Sequence, residues 1–178
     1  VPHYDHPNLV IKALNRGLHV LCEKPMVLSK KEAEELYKLA KENNVPLVGR
    51  GEFVGCLTKL YKETICVAGT HGKTTTSSML AHILASSQVE CNAFLGGILK
   101  NYNSNLILSE KSELTVIEAD EYDRSFHHLT PYMAVVTASD PDHLDIYGTE
   151  EAYLESFAVF TELIVPGGVL LMKKGITL

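Results

Sequence analysis

The 178-residue sequence contains no tryptophan and only four cysteines, Cys22, Cys56, Cys66 and Cys91. They form neither a C-x-x-C pair nor a zinc-ribbon spacing, which argues against a disulfide framework or a cysteine-based metal site, so reduced thiols packed as small hydrophobes are expected. Basic charge is also scarce: 16 Lys and Arg stand against 22 Asp and Glu, for a net charge of -6. Such a chain has no broad positive field to draw a phosphate backbone, so no nucleic-acid partner is expected, although a local anion site is compatible with this balance. Long apolar runs are missing too. Stretches such as Met133–Val136 and Gly168–Met172 are strand-sized, far below the roughly 18 residues of a membrane-spanning helix, and no membrane partner is expected. Val1–Pro7 shows no basic start followed by an apolar run and a cleavage site, so a cytoplasmic location is expected. There is no internal repeat and no Ser/Gly/Pro-rich linker.

What is present is ordinary globular composition, with 46% hydrophobic and 21% charged residues, enough chain for one domain of usual size or two small ones. The pattern predicts helix Asn8–Arg16 closed by Gly17, strand His19–Cys22, helix Lys30–Glu42 opened by the capping box Ser29/Glu32, and a short strand Pro46–Val48. It continues with helix Glu52–Leu60, strand Thr64–Ala68, a Gly-rich turn, and helix Lys73–Ala85. Strands Cys91–Phe94, Leu114–Ala119, Met133–Ala138 and Val169–Met172 follow, with helix Glu150–Leu163 ending before Pro166-Gly167-Gly168 and a surface excursion over Leu99–Glu113. Apolar strands alternating with helices predict an α/β fold, a mostly parallel sheet with helices on both faces.

The most informative residues are Ile65-Cys66-Val67-Ala68 leading into Gly69-Thr70-His71-Gly72-Lys73-Thr74-Thr75-Thr76. A buried strand turns through glycines into a helix, and Gly69 and Gly72 permit backbone conformations in which successive N–H groups face an anion. The helix start near Lys73 adds partial positive charge at the same place. Lys73 is expected to meet the β- and γ-phosphates of a nucleotide, and the Thr74 hydroxyl to ligate Mg²⁺. The loop is a shortened variant, because the general pattern has a glycine where Val67 stands.

Two further strands empty into polar residues, where ligands of open α/β sheets bind. Glu118, at the end of Val116-Ile117-Glu118, can hold Mg²⁺ directly or through water. For Asp120, Glu121 and Asp123 taken singly, a solvated acidic loop is as good a reading as function. Asp142, His143 and Asp145, after Ala134–Ala138, can reach a metal or a phosphate, and in the presence of the two other sites a metal role is expected of His143. His127 and His128 are read as structural.

From about Val45 to Leu178 the chain resembles the Mur ligases, on the branch that joins L-alanine to UDP-N-acetylmuramate. The resemblance rests on Ala68–Thr76, on Glu118-Ala119-Asp120-Glu121-Tyr122-Asp123 with Ser125-Phe126, and on Asp142-His143-Leu144-Asp145-Ile146-Tyr147-Gly148. It implies a central ATP-binding domain and ATP-dependent amide formation through an acyl phosphate, with ATP and Mg²⁺ as cofactors. UDP-N-acetylmuramate and L-alanine are the implied small-molecule partners. By position, it implies that Gly69, Thr70, His71, Gly72, Lys73, Thr74 and Thr75 bind the nucleotide. It further implies that Thr74 and Glu118 hold one Mg²⁺ and His143 a second, with Lys73, Glu118 and His143 as the catalytic set. Ala138 stands where many members carry asparagine. The family's UDP-sugar and carboxy-terminal domains are not recognisable in the sequence.

The first 48 residues resemble instead the nucleotide domain of glucose-fructose oxidoreductase-type (Gfo/Idh/MocA) dehydrogenases, through Pro2–Pro7, Gly17–Pro25 with Glu23-Lys24-Pro25, and the helix Lys30–Asn43. The implied organisation is a Rossmann-like βα fragment over 1–48 and a ligase-like ATP-binding domain over 49–178. Two resemblances meeting at Asn44–Gly49 point to a hybrid or misjoined coding sequence. The competing readings are an NAD(P)-dependent oxidoreductase fragment and a non-catalytic chimera.

Overall fold

The computed structural model describes residues 1–178 and divides them into two compact units, Val1–Gly49 and Arg50–Leu178. In the first, a 3₁₀ turn at His3–Asp5 leads into α1 (His6–Leu14), and α2 (Lys30–Glu42) follows. Asn15 caps α1, and Gly17 beyond it takes φ +70°, as a residue after a helix end commonly does. The capping box of α2 is formed in full: Ser29 Oγ accepts from the Glu32 N–H, and the Glu32 carboxylate accepts from the Ser29 N–H at 3.0 Å.

The strands expected at His19–Cys22 and Pro46–Val48 are not formed. Val1–Gly49 holds no strand at all, so neither segment has a ladder partner, and an isolated extended segment leaves its amides and carbonyls to water. Leu18, Val20 and Leu21 are accordingly exposed.

The second unit opens with α3 (Arg50–Thr58) and builds a six-stranded sheet from β1 (Glu63–Ala68), β2 (Asn92–Leu99), β3 (Ser104–Ile107), β4 (Leu114–Glu118), β5 (Met133–Val136) and β6 (Val169–Met172). Their spatial order is β3-β2-β4-β1-β5-β6. Every pairing is parallel except β2 with β3, which is antiparallel. The expected excursion over Leu99–Glu113 thus contains a strand. At four polar-flanked residues its period-2 signal is too short to read, and it forms because β2 offers it a free edge.

The remaining elements are α4 (Lys73–Ala85), a 3₁₀ segment at Tyr122–His128, α5 (Leu144–Tyr147) and α6 (Glu150–Glu162). Adjacent residues of β4 separate the two faces of the sheet. Val116 joins a core with Ala81 of α4, Cys91, Ala93 and Leu95. Ile117 points the other way, into a core with Phe126, Tyr147, Tyr153, Phe157 and Phe160. The aromatic core is close-set: Phe126 stacks on Phe160 at 4.8 Å and meets Phe157 edge-on at 5.2 Å, separations at which ring pairs attract beyond their area burial. The carboxyl ends of the parallel strands β1, β4 and β5 lie side by side, and β1 sits between the other two.

Candidate functional site

The phosphate loop follows β1. Gly69 takes φ +134° and Gly72 φ +83°, conformations that a side chain resists. Gly69 also has a packing reason to be glycine, since a Cβ there would lie 2.2 Å from Thr137 Oγ1. Thr137, the residue after β5, braces the loop from beneath: its Oγ1 is 2.6 Å from His71 O and 3.1 Å from Ala68 O. One proton serves one acceptor at a time, so these carbonyls share it. The Thr70 N–H donates to Ala138 O at 3.1 Å, while its hydroxyl donates to Asp140 O at 2.7 Å and accepts from Tyr153 Oη at 2.8 Å. Burial pushes the Tyr153 phenol up to about 12. Gly72 caps α4 without a side chain, so the first-turn amides of that helix, which lack intrahelical acceptors, face out of the loop.

Lys73 is held at the loop by two acceptors, Gly69 O at 2.9 Å and Glu121 Oε1 at 2.7 Å. The Glu121 side chain is 2% exposed and that of Lys73 17%. Glu121 Oε2 is buried with no partner, so the carboxylate depends on Lys73 for its counter-charge. The sequence offered solvation and function equally for Glu121, and the structure removes the solvated reading. Asp120 and Asp123 are more open: Asp120 lies 4.0 Å from the exposed Arg50, and Asp123 accepts from the Ser125 hydroxyl. Tyr147 Oη donates to Glu121 O, and the Arg124 guanidinium lies 4.6 Å over the Tyr147 ring.

Glu118, the last residue of β4, stands opposite Val67 in the ladder. Its Oε1 accepts from Thr74 Oγ1 at 2.9 Å and its Oε2 from the Gly96 N–H at 2.9 Å. A hydroxyl and a carboxylate are the hard oxygen donors that Mg²⁺ takes, and adjacent ligands of an octahedron with about 2.05 Å bonds stand about 2.9 Å apart. The pair therefore fits that ion.

His143 lies elsewhere in contact terms. It takes φ +53° before α5, its N–H donates to Asp142 Oδ1 at 2.7 Å, and its ring meets Tyr122 edge-on at 5.1 Å. No group of three His, Cys, Asp or Glu side chains is arranged as a metal cluster. Asp145, His71 and Thr75 are exposed. His127 Nε2 lies 2.9 Å from Ser156 O, tying the 3₁₀ segment to α6.

Sequence reasoning missed Thr137, Tyr153 and Gly96 as parts of this site. A hydroxyl after a strand, a helix-borne tyrosine and a strand glycine have no local signature, and only the sheet order brings them to the loop. A shallow depression lies beside Glu118, lined also by Arg50, Asp120 and Ser125.

Residues 67–175, more than half of the chain, match the family model described as the Mur ligase middle domain. The chain belongs to this Mur ligase family. Residues 1–49 match a different model, the NAD-binding Rossmann fold of an oxidoreductase family. The Mur ligase portion is similar to the UDP-N-acetylmuramate–L-alanine ligase of Parabacteroides distasonis, 71% identical over 127 residues, which cover 71% of this chain and 27% of that protein. The ligase of the same name from Phocaeicola vulgatus is 63% identical over 138 residues, covering 78% of this chain and 30% of its own length. The chain thus spans under a third of these relatives. Among solved structures, the UDP-N-acetylmuramate:L-alanyl-gamma-D-glutamyl-meso-diaminopimelate ligase from Neisseria meningitides shares the fold, with a TM-score of 0.70 at 23% identity over 90% of this chain and 52% of that one. No helix of the Mur ligase chain is long and apolar enough to cross a membrane.

Proposed function

We propose that the chain carries the ATP- and Mg²⁺-binding part of a cytoplasmic ligase that joins L-alanine to the lactyl carboxylate of UDP-N-acetylmuramate. The observation that carries this reading is the convergence, at the mouth of β1, of the glycine loop, the Lys73 ammonium and the Thr74–Glu118 pair. The identity to ligases of that name supports the choice of substrates.

The chemistry asks a carboxylate oxygen to attack the γ-phosphorus of ATP, with ADP leaving. The amine nitrogen then attacks the acyl carbon, and phosphate leaves. Bringing an anionic carboxylate to an anionic phosphoryl group is opposed by charge, and the residues answer that opposition. Amides of Gly69–Lys73 hold the phosphates, and Lys73 neutralises the β/γ oxygens without leaving Glu121, since two of its three N–H donors are already committed. Thr74 and Glu118 would hold Mg²⁺, and a second ion would need the His143 ring to turn from its contacts with Asp142 and Tyr122. When bound, Mg²⁺ supplies charge neutralisation and orientation of the phosphates.

The reading is tested by fluorescence titration of the whole chain with a fluorescent ATP analogue plus Mg²⁺ and, separately, with NADH. Saturable binding of the ATP analogue with no NADH response is expected. NADH enhancement with no ATP-analogue binding would reverse the assignment in favour of an oxidoreductase fragment.

A further inference from the structure

The Thr74–Glu118 pair is bounded by a wall that no sequence motif marks. Gly96 and Gly97 lie in β2, just past the last rung of its ladder with β4, Phe94 opposite Ile117. The Gly96 N–H donates to Glu118 Oε2 at 2.9 Å. A Cβ at Gly96 would stand 2.5 Å from Glu118 Oε1 and 2.6 Å from Oε2, and one at Gly97 would stand 3.0 Å from Thr74 Cγ2. Contacts at 2.5 Å are not accommodated by small shifts, so any side chain at Gly96 drives the carboxylate from its place. Glycine weakens a strand interior, and two in succession at the open end of a sheet mark a close approach rather than a strand preference. Neither glycine has a positive φ, so their backbone conformation does not demand them.

We propose that Gly96 and Gly97 are the positioning residues of the divalent-cation site. The Gly96 amide fixes one oxygen of Glu118, and the missing side chains leave room for the other oxygen to meet the Thr74 hydroxyl. Gly96 acts on Glu118, and Gly97 acts on Thr74. This inference rests on the nucleotide and magnesium reading given above.

The experiment is calorimetric titration of the whole chain with AMP-PNP, in EDTA and in Mg²⁺. Magnesium is expected to tighten binding by the parent at least about tenfold, or about 1.4 kcal/mol. In Gly96→Ala that gain falls below about twofold while the metal-free affinity stays within about threefold of the parent's, a split that a general packing defect does not produce. Gly97→Ala loses the gain likewise, and Thr74→Ser in the same background restores it, because the serine keeps the hydroxyl and removes the crowded methyl. This second pair decides the matter if Gly96→Ala lacks a cooperative melt.

Retention of the parent's magnesium gain in Gly96→Ala overturns the inference, as does a parallel loss of metal-free affinity. Failure of Thr74→Ser to restore Gly97→Ala also overturns it. A parent that binds AMP-PNP without responding to magnesium rejects the inference and leaves the nucleotide reading standing, whereas a parent that binds no AMP-PNP rejects both.

Discussion

The ammonium of Lys73 lies 2.7 Å from Oε1 of Glu121, and the carboxylate it meets is almost wholly buried. A pair of this kind adds little by being formed, because desolvation of both ions offsets their attraction. Removing one member is different. Lys73→Ala leaves Glu121 buried with neither oxygen partnered, and such a change costs about 3 to 5 kcal/mol. The expected outcome is a marked drop in melting temperature for Lys73→Ala, with much of it recovered in Lys73→Met/Glu121→Leu. Thermal melts of the single and double variants check this. A stable Lys73→Ala protein would mean that the pair is not desolvated. Loss of nucleotide binding in the single variant alone therefore does not isolate the phosphate contact.

Thr137 supports the loop carbonyls of Ala68 and His71. Thr137→Val keeps the shape and removes the hydroxyl, so the His71 carbonyl loses its donor while the Ala68 carbonyl keeps the Thr137 N–H at 3.0 Å, at a cost of about 1 kcal/mol. Because the affected segment is the phosphate loop, nucleotide affinity is expected to fall about tenfold as the loop loses its preset geometry. Calorimetry and denaturant titration of the same variant report the two effects separately, and unchanged affinity would remove Thr137 from the site.

The raised pKa of Tyr153 gives a pH dependence with a defined sign. Its phenol is pushed up to about 12 in the folded chain, chiefly by burial, whereas an unfolded tyrosine ionises near pH 10. A group whose folded pKa is raised contributes stability that is complete below the unfolded value and is lost as pH climbs through the folded one. Stability should therefore decline between about pH 10 and 12, and Tyr153→Phe should show a shallower decline. Denaturant midpoints across that range, with phenolate absorbance followed in parallel, measure it. Identical slopes in the two proteins would contradict the assignment.

Long, strongly patterned elements were legible in the sequence. The helix expected at Lys73–Ala85 is α4 to the residue, and the capping box at Ser29 and Glu32 forms as its spacing implied. Thr74 and Glu118 were expected at one site, and the sheet order puts their oxygens 2.9 Å apart. Long-range pairing was beyond the local pattern. Residues 19–22 look like a strand in isolation and fail for want of a partner, whereas β3 looks like a loop and is paired by its neighbour. Glu121 is the same lesson in charge: an acidic residue among acidic residues reads as solvated until the fold brings Lys73 from 48 positions away.

The most direct test of the central claim is a map of backbone amide shifts in ¹⁵N-labelled protein as AMP-PNP and Mg²⁺ are added. The phosphate-loop account predicts that the largest changes fall on the amides of Gly69–Thr75, with smaller ones at Gly96 and Glu118. Saturable changes centred on residues 1–49, or none at Gly72, Lys73 and Thr74, would contradict it.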